Sequence, residues 1–196
     1  MNRIRISAWL AVAFVLGAIA WPVSTSLLHK EDKFDALFIG GPFAMIDHNS
    51  RAVTERDYAG KAKALFFGFT YCPDVCPTTL ARLTGLMEKL GPDAEKLQVI
   101  LVSVDPERDT PDVLKAYLAA FDPRMIGLTG TPEQLAAFAK SYRVFYEKVP
   151  GQDSNYTLNH SAGVFLFRKS GEFQGTLDGE ESDKVVLEKL YMLLER

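Results

Sequence analysis

Lys63-Ala64-Leu65-Phe66-Phe67-Gly68-Phe69-Thr70-Tyr71-Cys72-Pro73-Asp74-Val75-Cys76-Pro77-Thr78 is an apolar run that breaks into a turn and then opens a helix. Lys63 to Phe69 reads as a buried central strand, so the Phe66, Phe67 and Phe69 cluster is core. Beyond the turn, Leu80, Leu83, Met87 and Leu90 recur at helical spacing until Gly91-Pro92 stops the helix. Cys72 and Cys76, the only two cysteines of the chain, sit at the junction. A pair of thiols there can exchange two electrons as a disulfide, or hold a soft metal ion as thiolates. Three intervening residues make a wider loop than a Cys-x-x-Cys pair, and both states are reachable. A purely structural Cys72–Cys76 bridge is the plainer reading, but so short a loop would restrict the unfolded chain little.

The residues around the pair tune it. Pro77 disfavours helical dihedrals at Cys76 and presets its own φ for a first helical position, which places Cys76 at or near a helix N-cap. The positive end of that helix is then expected to lower the pKa of Cys76. Asp74, between the two sulfurs, pushes the other way, or only caps the loop. Two sulfurs leave a soft metal short of donors, and a third should come from a histidine. The chain has three: His29 ending an apolar segment, His48 in the turn-like Asp47-His48-Asn49-Ser50, and His160. Only His160 directly precedes a strongly strand-like run, Val164-Phe165-Leu166-Phe167.

Working outward, Phe43 to Met45 reads as a strand after an entry extension, and Leu97 to Val104 as a second buried strand. Its near-continuous apolarity is what a strand covered on both faces requires. Helices are predicted from Thr110-Pro111, from Thr131-Pro132 with a Thr131/Gln134 capping box, and from about Ser182 to Leu194. Short strands are expected at Val144 to Tyr146, Val164 to Phe167 and Glu172 to Leu177. This is an α/β pattern, a central mixed sheet flanked by helices.

Phe67 to Thr78, followed by Val102-Ser103-Val104-Asp105-Pro106-Glu107-Arg108-Asp109-Thr110-Pro111, resembles the Sco/SenC family of copper proteins, and Gly40-Gly41-Pro42-Phe43 resembles its domain entrance. The resemblance runs from about Gly40 to the C-terminus. It implies a thioredoxin-like fold and a copper ion, Cu(I) or with a further ligand Cu(II), held by Cys72, Cys76 and His160. It also implies delivery to the copper A centre of cytochrome c oxidase, with the copper-receiving subunit of that enzyme and a thiol-disulfide reductant as partners. The other reading is a thiol-disulfide oxidoreductase, with Cys72 and Cys76 as a redox pair that keeps the receiving subunit's cysteines reduced. His160 discriminates, because a pure reductase does not need it. Asp105 with Arg108 is expected to fix a strand-end loop by local hydrogen bonds and an ion pair.

Composition sets the frame. A length of 196 residues suits one domain plus an appendage, and a net charge of -3 offers no nucleic-acid footprint. Arg3 and Arg5 precede an apolar stretch from about Ile6 to Leu28, long enough to span a bilayer at ~20 residues. Residues 1–28 are therefore read as a membrane anchor, 29–39 as a linker and 40–196 as the domain. The arginines favour the cytoplasmic side, which puts the domain on the periplasmic side of a bacterial inner membrane. The rival is a signal peptide cleaved at Ala18-Ile19-Ala20.

Overall fold

The computed structural model describes residues 38–151 and 155–195. The predicted anchor, its cleavage-site alternative, His29 and most of the linker lie outside the described residues. Among those described, no helix is long and apolar enough to cross a membrane.

Residues from Ile39 onward form one compact unit built on a seven-stranded mixed sheet. Its strands are β1 (Ala44–Asp47), β2 (Ala52–Thr54), β3 (Ala62–Gly68), β4 (Leu97–Ser103), β5 (Ile126–Thr129), β8 (Val164–Phe167) and β9 (Phe173–Leu177), in the order β2-β1-β5-β4-β3-β8-β9. β3, β4 and β5 run parallel, whereas β8 is antiparallel to β3 and β9 to β8. A separate antiparallel hairpin, β6 (Tyr146–Pro150) with β7 (Tyr156–His160), stands outside that sheet. The helices are α1 (Val75–Leu90), α2 (Pro111–Leu118), α3 (Pro132–Tyr142) and α4 (Asp183–Leu194).

β3 is buried along its whole length because helices cover both of its faces. Alternation sends Phe67 to one side, where it meets the rings of Phe138 and Tyr142 of α3 at 5.5 and 6.2 Å. Phe66 and Gly68 face the other side, where Cys76 of α1 packs on Gly68. The predicted phenylalanine cluster is core, with Phe66 and Phe67 fully buried and Phe69 2% exposed. Helix starts follow the side-chain chemistry. Thr110 and Ser182 accept from Val113 N and Val185 N, and the Thr131/Gln134 capping box forms in both directions.

Three strands, β2, β5 and β7, carried no expectation, and β6 begins at Tyr146 where the sequence pointed to Val144. β5 is masked by Gly127, a weak strand former that is needed there. A Cβ at that position would lie 2.9 Å from Leu118 of α2. β7 is a hairpin strand in which only Leu158 is buried, and it lacks the apolar weight of a core strand. The Asp47–Ser50 turn is as read. The Asp47 carboxylate accepts from the amides of Asn49 and Arg51 at 2.8 and 3.0 Å, and Ser50 takes a left-handed φ of 61°. His48 serves this turn, its Nδ1 accepting from Gly127 N at 3.0 Å.

Candidate metal centre

β3 ends at Gly68, and the chain turns through Phe69 to Asp74 before α1 begins. Cys76 is the second residue of α1, near the helix start as expected, and Asp74 is the N-cap, so the helix begins two residues earlier than a first-position Pro77 implies. Pro77 is accommodated as the third helical residue because first-turn amides have no partner inside the helix. Cys76 is fully buried. Gly68 makes this possible, since a Cβ there would lie 2.8 Å from the Cys76 sulfur and 2.9 Å from the Phe66 ring. Burial, not the helix end, decides the chemistry of Cys76, pushing its thiol pKa well up where the sequence had suggested a lowered one. The helix start addresses the other sulfur instead, for the Cys76 amide donates to Cys72 Sγ at 3.4 Å. Asp74 is exposed and takes a 3.3 Å hydrogen bond from the Thr78 hydroxyl.

His160 precedes β8 as expected, and it is also the last residue of β7, paired with Tyr146. Its Nε2 lies 3.7 Å from Cys76 Sγ, and the donor atoms of Cys72, Cys76 and His160 all fall within 4.8 Å of one another. Both cysteines are free thiols. His160 Nδ1 lies 3.0 Å from the Ser161 carbonyl oxygen. That oxygen only accepts, so the proton sits on Nδ1 and the Nε2 lone pair faces the sulfurs. The edges of Phe66 and Phe69 hold the imidazole, with centroids 6.2 and 5.8 Å away. Two sulfurs and an oriented imidazole, half enclosed by aromatic rings, form a donor set for a soft or borderline ion.

Two fully buried acids brace this constellation. Asp109 accepts from Thr70 N at 3.1 Å, Thr70 Oγ1 at 2.6 Å and Ser103 Oγ at 2.6 Å, tying the turn before Cys72 to the end of β4. Its pKa is raised by burial, against the pull of these hydrogen bonds. Asp105 pairs with Arg108 and accepts from the Tyr156 hydroxyl at 2.7 Å. The Tyr156 phenol is in turn pushed up to about 12 by burial and by that carboxylate. Arg108 also donates to the Tyr156 carbonyl at 3.1 Å, and its guanidinium carbon lies 3.7 Å from the Tyr156 ring centre and 4.7 Å from that of Tyr71. One side chain thus joins the β4 end, the neighbour of Cys72 and the hairpin that carries His160. The local ion pair was expected; the reach to Tyr71 and Tyr156, the Thr70–Asp109 tie and the need for Gly68 were not. A usable signal existed for Asp109, because parallel neighbours β3 and β4 end at the same edge of the sheet.

A family model for SCO1/SenC matches residues 31–195. The chain belongs to the SCO1/SenC family. It is 40% identical over 175 residues to "Protein SCO2, mitochondrial" of Saccharomyces cerevisiae, covering 84% of this chain and 58% of that protein. The chain thus spans little more than half of that relative's length. Among solved structures, that of Bradyrhizobium japonicum ScoI with copper bound is 42% identical with a TM-score of 0.75, over 79% of this chain and 99% of the other. BsSco, a member of the Sco family of cytochrome c oxidase assembly proteins in which a disulfide switch was identified, is 25% identical with a TM-score of 0.66, over 80% of this chain and 94% of its own. The mixed sheet flanked by helices is the thioredoxin-like fold of these Sco structures.

Proposed function

We propose that this SCO1/SenC protein binds copper through Cys72, Cys76 and His160 and delivers it to the copper A centre of cytochrome c oxidase during assembly. The observation that carries the reading is the convergence of two sulfurs and the free Nε2 lone pair within 4.8 Å, in a family with copper-bound members. Cu(I) suits two thiolates and one imidazole, and so small a ligand set lets the ion leave by stepwise ligand exchange. Cu(II) would take a further ligand. The copper-receiving subunit is proposed to dock over the exposed side chains beside the ligands, Tyr71, Val75 and Phe145. Residues 1–28 anchor the domain at the periplasmic face of a bacterial inner membrane in this reading, and an external thiol-disulfide reductant returns a Cys72–Cys76 disulfide to dithiol.

The spacing of the sulfurs, with the disulfide switch of BsSco, supports a second reading as a thiol-disulfide oxidoreductase. Cys72 is the accessible sulfur and Cys76 the buried one, which favours Cys72 as the attacking thiolate and Cys76 as the resolving thiol. A strain lacking the protein separates the two when complemented with His160→Ala. Copper delivery predicts oxidase without its copper A absorbance. Full copper A occupancy in that strain would leave only the reductase reading.

A further inference from the structure

The end of β3 away from the cysteines holds a side chain that the copper site does not use. Lys63, the second residue of β3, lies about 17 Å along the strand from Gly68, at ~3.3 Å per residue. It retains only 8% exposure, and its ammonium donates to a single backbone carbonyl, that of Lys61, at 3.2 Å. An ammonium carries three donors, and none of the ion pairs among the described residues includes Lys63. A buried charge without a carboxylate is costly to keep.

Lys63 borders a pocket of about 270 Å³, open to solvent on one side. Its floor is apolar: Phe43, Leu65, Ile100 and Phe167, together with Tyr142, whose hydroxyl is already spent on the Gly41 carbonyl. Arg56 and Lys169 stand on the rim, so three cations face one small apolar cleft. The one acid there, Glu55, is engaged by the Phe43 amide at 3.1 Å and by Arg56 at 3.7 Å.

We propose that this pocket binds a small organic carboxylate, its carboxylate on Lys63 between Arg56 and Lys169 and its apolar body on the Phe43–Phe167 floor. The floor argues against inorganic phosphate as the ligand, and the buried ammonium argues against a neutral one. Burial also lowers the Lys63 pKa, the direction expected of a cation lacking its counter-ion. The volume sits near the lower end for ligand pockets and fits a single aromatic ring or a short branched chain.

The test uses the full chain in lipid nanodiscs, with 4-fluorobenzoate as the probe and its fluorine NMR linewidth as the readout. Saturable broadening beyond that of protein-free nanodiscs is expected. Lys63→Met should weaken binding by about tenfold or more, the worth of one charge-assisted hydrogen bond. Glu55→Gln should tighten it, and copper stoichiometry should be unchanged in both variants. 4-Fluorobenzyl alcohol and inorganic phosphate should each bind at least about tenfold more weakly, since each lacks one half of the complementarity. Should Lys63→Met fail to fold, the Arg56→Gln/Lys169→Gln variant replaces it, with a severalfold loss expected. No saturable broadening, equal binding of the alcohol, or unchanged affinity in the folded charge variant would overturn the proposal.

Discussion

Cys76 and His160 meet at 3.7 Å, yet they come from regions built in opposite ways. Cys76 belongs to the core, sealed between α1 and β3 with Gly68 cut away to admit its sulfur. His160 ends a two-stranded hairpin outside the main sheet, whose residues are mostly half-buried or exposed. The hairpin is held to the core through Arg108, Asp105 and Tyr156. The thiol side of the site is therefore preorganised by packing, and the imidazole side by a polar clasp. Under the proposed copper delivery, such a centre would gain from one ligand on an element that can shift without disturbing the core.

The largest expected effect separates the two regions. Cys76→Ser should remove tight Cu(I) binding and disulfide formation together. His160→Ala should weaken Cu(I) by more than about a hundredfold, beyond what outer-shell changes cost, while the disulfide still forms. A competition titration with a Cu(I) chelator and a thiol count after oxidation read both.

Next comes the clasp. Arg108→Ala leaves the buried Asp105 carboxylate uncompensated and should cost about 3 kcal/mol, near the lower end for a broken buried pair because the arginine keeps 18% exposure. Tyr156→Phe, which removes one hydrogen bond to that carboxylate, should cost about 1–2 kcal/mol. Denaturant unfolding measures both, and hydrogen exchange should show the added opening concentrated in β6–β7. Uniform loss of protection across the main sheet would contradict the clasp.

On the core side, Gly68→Ala should cost about 1–3 kcal/mol as an overpacking change and displace the Cys76 sulfur. Its signature is slowed disulfide formation with hairpin protection unchanged. The smallest effect lies outside both regions and calibrates them. Arg124 donates to the buried Asp122 carboxylate at 2.9 and 2.6 Å and holds its pKa below the ordinary value. An acid with a depressed folded pKa stabilises above its unfolded pKa, and that stability is lost as pH falls through the folded value. Asp122→Asn should therefore flatten the stability curve below about pH 4, the ordinary aspartate range. Equal acid sensitivity in the variant would assign that limb to other carboxylates.

The core side was the legible one. The run from Lys63 to Phe69, the helical spacing after Cys76 and the helix starts at Thr110, Thr131 and Ser182 are local signals; the helices begin there, and the strand forms one residue earlier, as Ala62–Gly68. Cys72 and Cys76 were visible as a pair because they are close in sequence. His160 rested on family resemblance, since 84 residues separate it from Cys76 and β7 is too polar to announce a strand. The expected lowering of the Cys76 pKa failed for a tertiary reason. Helix position is local, whereas the burial that outweighs it depends on Gly68 and on β3 packing over the sulfur.

X-ray absorption on the Cu(I)-loaded full chain beside His160→Ala tests most directly whether the two regions share one ion. We predict two sulfur donors and one nitrogen donor in the native protein, and the sulfur pair without the nitrogen in the variant. An identical nitrogen contribution in both would remove His160 from the site and contradict the three-ligand centre.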